Sequence, residues 1–142
     1  MIGYPNYENS KIYIIRPTVK HEKNEIYIGS TRFELSKRFH QHKLTYNRWK
    51  LGKGFKTSSY ILFEKYGLDN CEIILIEEFD GGNKTWVAYI ESLYIKSNKC
   101  VNKNISCKGI FSGEAVKIKP IPEFKIKTEI EILEEEFIKA IQ

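Results

Sequence analysis

Two short runs of β-branched and aromatic residues, Lys11 to Pro17 and Glu25 to Ser30, stand close together with a polar stretch between them. No other feature narrows so sharply what the chain can fold into. Such runs read as strands, and a short polar connection joins them as a hairpin. Side chains alternate along a strand, so Ile12 and Ile14 share one face of the first and Tyr13 and Ile15 the other. In the second strand Ile26 and Ile28 oppose Tyr27, which lets both tyrosines occupy one face of the sheet.

The spacing then becomes helical. Leu35, Phe39, Tyr46 and Trp49 predict a helix from Glu34 to about Lys50, and Ser58 to Tyr66 predicts a second one closed by Gly67. Between them Gly52 to Lys56 reads as a loop. Cys71 to Phe79 is a third strand, Gly81-Gly82 a break, and Lys84 to Ser97 a strong helix. Asn98 to Cys107 reads as a returning loop. Pro120 and Pro122 mark a linker, and Ile130, Leu133, Phe137 and Ile141 give an amphipathic helix over Lys127 to Ile141. The expected organisation is a domain over residues 1–109 and a linker with a terminal helix over residues 110–142. Packing of that helix on its own domain is the expectation, with self-association as the alternative.

Composition excludes several classes. At 142 residues with 42% hydrophobic content the chain supports one domain with a modest core. No apolar run approaches the roughly 20 residues of a membrane helix, and MIGYPNYENS lacks signal-peptide character, which predicts a soluble, intracellular protein. Cys71, Cys100 and Cys107 are odd in number and form no CxxC pair, so reduced thiols are expected.

Charge is unevenly spread. Residues 1–109 carry 18 cations against 11 acids, and residues 110–142 carry 5 against 7. Arg32, Lys37, Arg38, Lys43, Arg48, Lys50, Lys53 and Lys56 face the single acid Glu34, interleaved with Phe33, Phe39, Tyr46, Trp49 and Phe55. A polyanion is drawn to such a surface because each neutralised phosphate releases condensed counterions. An ordinary solvated helix face is the competing explanation.

Single residues suggest chemistry. Glu91 lies one helical turn from Val87 and from Tyr94 and Ile95, so it belongs to an apolar stripe and requires a partner there. A divalent metal meets that need, and so does a salt bridge. Arg38 and His42 are four residues apart and project from one helix face. An Arg fork can hold a phosphate oxygen, and His42 can accept a proton or orient a water. His40 is offset by two positions, which opposes a zinc pair, and His21 has no assigned role. Tyrosines in strands usually pack, and a phenol is a weak base unless cations lower its pKa.

Taken in order, Tyr13, Tyr27-Ile28-Gly29-Ser30-Thr31, Leu35-Ser36-Lys37-Arg38-Phe39 with His42, Tyr66-Gly67, Glu91-Ser92-Leu93-Tyr94-Ile95 and Asn102 resemble the GIY-YIG nuclease domain over roughly residues 10–105. The second half-motif is intact. In the first, Lys11 replaces the usual Gly, a backbone position rather than a chemical group. The resemblance implies an α+β fold with a small three-stranded antiparallel sheet flanked by helices, and an active site on the face carrying both tyrosines. It also implies Mg²⁺, or Mn²⁺, on Glu91, a phosphate clamped by Arg38, and Asn102 bonding near the phosphate or organising the site. Tyr13 or Tyr27, helped by His42, would activate the water, with Tyr13 favoured. The expected partner is DNA, RNA being a further possibility, cut by a monomeric nickase. A binding module without turnover on the same scaffold is the alternative function.

Overall fold

The computed structural model describes residues 9–80, 84–103, 117–125 and 129–141. Strand β1 (Ser10–Pro17) is central, between β2 (Tyr27–Thr31) and β3 (Cys71–Phe79), and both neighbours run antiparallel to it. Helices α1 (Leu35–Lys50) and α2 (Tyr60–Tyr66) follow β2, and a single 3-10 turn (Leu68–Asn70) leads into β3. Helix α3 (Lys84–Ser97) comes next, and α4 (Glu129–Ile141) ends the described chain. The expected mixed α+β class and small antiparallel sheet are therefore present.

Alternation along β1 divides the core in two. Ile12, Ile14 and Ile28 pack under Tyr89, Ile90, Tyr94 and Ile95 of α3. Tyr13 and Ile15 pack on the opposite face under Tyr46 of α1 and Tyr60, Leu62 and Phe63 of α2. Each isoleucine so buried contributes about 1.5–3 kcal/mol of transfer free energy. Helix α2 stops at Gly67, whose φ of 88° is a left-handed conformation that glycine adopts without strain.

The register across the hairpin sets Tyr13 opposite Gly29. On the other side the ladder slips by one residue between Ile12 and Tyr13, which pair with Glu77 and Leu75. Such a bulge bends the strand locally.

Three expectations change. Residues 117–125 are not a bare linker: Ile118 and Ile121 pack against the α3 core, Arg16 Nη1 donates to the Pro122 carbonyl at 2.6 Å, and Lys119 N donates to Tyr94 Oη at 2.9 Å. The domain boundary drawn at 109 therefore cuts through one packed unit. Among the described residues the stripe of α4 is not covered as packing on the domain would require: Ile130, Leu133, Phe137 and Ile141 are all exposed. Cys71 and Cys100 are free thiols as expected; Cys107 and the Gly81-Gly82 break lie outside the described residues. No helix among those residues is long and apolar enough to cross a membrane.

Candidate active site

Tyr13 has no exposed surface. Its hydroxyl lies 2.8 Å from His42 Nε2 and accepts from Arg38 Nε at 3.1 Å. Arg38 and His42 do share one face of α1, as their spacing predicts, and that face covers the tyrosine side of the sheet. Arg38 Nη1 also donates to Gln41 Oε1 at 3.3 Å. Two donors of the guanidinium are thus engaged, out of the five such a group carries.

These contacts fix the protons. A guanidinium can only donate, so the Tyr13 oxygen accepts from Arg38. If the phenol also accepted from His42, its own proton would be buried without a partner, at a cost of about 1–3 kcal/mol. The consistent arrangement has Tyr13 donating to His42 Nε2, with the imidazole proton on Nδ1. There it meets Ser59 Oγ at 3.3 Å, and Ser59 in turn lies 3.3 Å from Thr57 Oγ1.

Electrostatics agree with that assignment. Burial, and secondarily the positive charge of Arg38, lower the His42 pKa from 6.5 to about 3, so the ring is neutral at neutral pH. The Tyr13 phenol is driven well above its ordinary value, by burial first and by Tyr27 second, against the downward pull of Arg38. Both rings therefore stay uncharged. The expectation that His42 contacts a water is corrected, because the ring is buried and its two nitrogens face Tyr13 and Ser59.

Tyr27 is the phenol that reaches an opening. It is half-buried, its ring centroid lies 6.4 Å from that of Tyr13 and 5.5 Å from that of His42, and it lines a recess of about 470 Å³. Glu91, Asn102, Lys56, Lys103 and Ser58 line the same recess. Tyr13, the phenol favoured from the sequence, lies wholly inside, whereas Tyr27 reaches the recess. The Tyr27 pKa is raised, by burial first and then by the Glu91 carboxylate, while Arg38 lowers it. The phenol thus stands in the fields of both Arg38 and Glu91. The opening is also displaced from its expected place: α1 and α2 close the tyrosine face, and the recess lies at the β2 edge of the sheet.

Glu91 comes to this recess from the opposite face. Val87, Ile90, Tyr94 and Ile95 of α3 are buried, whereas Glu91 is half-buried at the margin of the stripe rather than in its middle. It also lines a second recess of about 310 Å³ with Arg32, Lys84, Ser30 and Thr31. Among the described residues, no three His, Cys, Asp or Glu side chains gather to hold a metal by themselves.

Asn102 spends its amide on the backbone. Its Oδ1 accepts from Ile28 N at 2.8 Å and its Nδ2 donates to Ile28 O at 2.7 Å, next to a Val101 N bond to Ile26 O at 2.8 Å. The side chain therefore holds the outer edge of β2, beside Tyr27.

The basic surface separates into groups. Arg32 and Lys56 line the two recesses. Lys37 sits 4.8 Å from the Phe33 ring, Lys43 4.6 Å from Phe39 and Lys50 5.6 Å from Tyr46, which explains the interleaving of cations and aromatics. Lys50 additionally pairs with Glu64 at 3.6 Å. Lys37, Lys43, Arg48, Lys50 and Lys53 line neither recess. Sequence reasoning overlooked Ser59, Lys84 and Lys103. The signal for Ser59 was its place at the start of α2, where a hydroxyl normally caps the helix; here it makes no cap bond and turns to His42.

No protein-family model, curated protein or solved structure matches the chain.

Proposed function

We propose that the protein is a divalent-metal-dependent DNA endonuclease of the GIY-YIG type that hydrolyses phosphodiester bonds as a monomeric nickase. The observation that carries this reading is the hydrogen-bonded chain Arg38–Tyr13–His42 set behind Tyr27, with Glu91 in the recess that Tyr27 lines. Arg38 lines neither recess, but it and Glu91 both act electrostatically on the Tyr27 phenol, so a cation, a phenol and a carboxylate from three elements distant in sequence stand near one another, which supports this reading.

Arg38 takes a non-bridging phosphate oxygen and opposes the charge that builds during attack at phosphorus. Its orientation comes from Tyr13, which His42 and Ser59 hold in one protonation state. His42 and Tyr13 act as positioning residues. Tyr27, protonated at neutral pH, donates to the attacking water or to the phosphate and orients it. Asn102 holds the Ile28 backbone next to that phenol.

The donor set suits Mg²⁺ or Mn²⁺ shared with substrate, since Mg²⁺ takes one or two protein carboxylates and completes its shell with water and phosphate oxygens. Glu91 would hold it, and the ion would supply positive charge to offset that of the phosphate. Neutralising Glu91 also removes its upward push on Tyr27 and leaves the downward pull of Arg38.

The test is nicking of supercoiled plasmid by the purified chain with Mg²⁺ or Mn²⁺. Glu91→Gln is expected to abolish cleavage and retain DNA binding, and Arg38→Lys to lower turnover by about 10²-fold. DNA binding without turnover by the wild-type chain would leave a binding module on the same scaffold. Full Mg²⁺-dependent activity in Glu91→Gln would remove the carboxylate from the mechanism.

A further inference from the structure

The two recesses have the same chemistry on either side of one residue. The first presents Lys56 and Lys103 beside Thr57 and Ser58; the second presents Arg32 and Lys84 beside Ser30 and Thr31. Glu91 is the residue they share. All four cations are exposed at the surface. Lysine, arginine and small hydroxyls are the groups that bind phosphate oxygens without regard to base. The second recess also opens at the first residue of α3, where the helix dipole adds positive potential. None of this follows the stretch of α1 whose cations dominate the sequence, since Lys43 and Arg48 line neither recess.

We propose that the two recesses bind phosphates of one polynucleotide strand on either side of the scissile position, so that the strand runs from Lys56 and Lys103 across Glu91 to Arg32 and Lys84. This rests on the nuclease reading and adds the path of the substrate to it. A phosphate on each flank places the backbone between them over the carboxylate. Among the described residues that line the two recesses, four cations stand against one carboxylate, a balance of +3, and that carboxylate is the place where a divalent cation would sit. The hydroxyls of each recess add uncharged donors to the same phosphates.

The path is testable by fluorescence anisotropy with a labelled duplex oligonucleotide, in EDTA and over a range of salt, using Glu91→Gln protein so that no strand is cut. Lys84→Ala and Lys103→Ala in that background should each reduce the slope of log K against log salt by about 0.9, the value for one lost phosphate contact on duplex DNA. Lys43→Ala and Arg48→Ala should leave the slope unchanged. All four side chains are at least partly exposed, and a thermal melt for each variant confirms that the fold persists. In EDTA, Glu91→Gln should also bind about fourfold more tightly than wild type, the factor for removing a unit charge facing a phosphate across ~5 Å of water. Flattening of the slope by Lys43→Ala and Arg48→Ala but not by the recess variants would overturn the path and leave the nuclease reading standing. Equal affinity of wild type and Glu91→Gln in EDTA would likewise remove the strand from Glu91. Absence of DNA binding by both proteins would sink the nuclease reading itself.

Discussion

The phenol of Tyr13 lies directly over the α-carbon of Gly29. The two residues pair across β1 and β2, and a β-carbon built on Gly29 would come 2.5 Å from Tyr13 Cζ. Tyr13 cannot retreat, because its ring is fully buried and its hydroxyl is held between His42 and Arg38. Glycine is therefore required here for space and not for an unusual backbone angle. Gly29→Ala should destabilise the fold by about 1–3 kcal/mol, the range for overpacking a filled core, and should displace Arg38 along with Tyr13. Urea unfolding measures the first effect, and loss of plasmid nicking at a temperature where the variant is folded measures the second. A variant with wild-type stability and activity would show that the ring has room to move.

His42 gives the protein a defined sensitivity to acid. Its pKa is about 3 in the folded state and about 6.5 in an unfolded chain. Between those values the unfolded state binds a proton that the folded state refuses, so stability is complete above pH 6.5 and is lost as pH falls towards 3. The slope is about 1.4 kcal/mol per pH unit while that one proton is linked. Glu25 acts lower on the scale: burial pushes its pKa up, but bonds from Lys65, Glu22 N and Tyr66 outweigh burial and hold it at about 2. Its contribution therefore fades only below about pH 4.5. Denaturant unfolding between pH 6.5 and 5 should show the His42 slope in the wild type and its absence in His42→Gln. Equal slopes in the two proteins would mean that His42 is not held neutral.

Asn102 imitates a strand residue with its side chain. Removing the amide in Asn102→Ala leaves both backbone groups of Ile28 without their partner, for an expected loss of about 1–3 kcal/mol. Asn102→Asp keeps the acceptor for Ile28 N but turns an oxygen towards Ile28 O, and should cost at least as much. Hydrogen exchange at the Ile28 amide, measured alongside global unfolding, tests this directly. Unaltered protection in both variants would assign the edge of β2 to other contacts.

Local patterns made much of this legible. The alternation of Ile12, Tyr13, Ile14 and Ile15 predicted the two faces of β1, because a strand in the middle of a sheet buries both sides. The bounds of β3 and α3 emerge as their apolar spacing predicts. The four-residue interval between Arg38 and His42 placed them together. The closed tyrosine face was not legible, since no local pattern says which face α1 will cover. Neither was the partnership of His42 with Ser59, which depends on where α2 begins in space. Glu91 was recognised by its apolar neighbours, yet its position at the stripe margin depends on the packing of α3 against β2. The docking of residues 117–125 was hidden because Pro120 and Pro122 suggest a linker, while the contact is made by two isolated isoleucines, Ile118 and Ile121, by the Lys119 N–H and the Pro122 carbonyl, and by Phe124, whose ring lies 5.5 Å from the Arg16 guanidinium.

That docking separates the tail into two parts with different consequences. Ile118 and Ile121 bury against the α3 core, the Pro122 carbonyl accepts from Arg16, and Phe124 lies 4.5 Å from the His21 ring. Every residue of the α4 stripe, in contrast, is exposed: Ile130 by 68%, Leu133 by 63%, Phe137 by 66% and Ile141 by 67%. Truncation after Lys125 removes α4, whose apolar stripe is exposed, and should leave the stability of the domain within about 0.5 kcal/mol, as for surface changes. Truncation after Lys117 also removes the docked segment and should cost about 2–4 kcal/mol from lost apolar burial and hydrogen bonds. Neither cut touches Tyr27, Arg38 or Glu91, so under the proposed function both proteins still nick plasmid while folded. Equal stability of the two truncated proteins would show that residues 118–125 contribute nothing to the domain. A dimer in light scattering that vanishes with α4, together with linear product formed without a nicked intermediate, would replace the monomeric nickase by an enzyme that pairs two copies through this stripe.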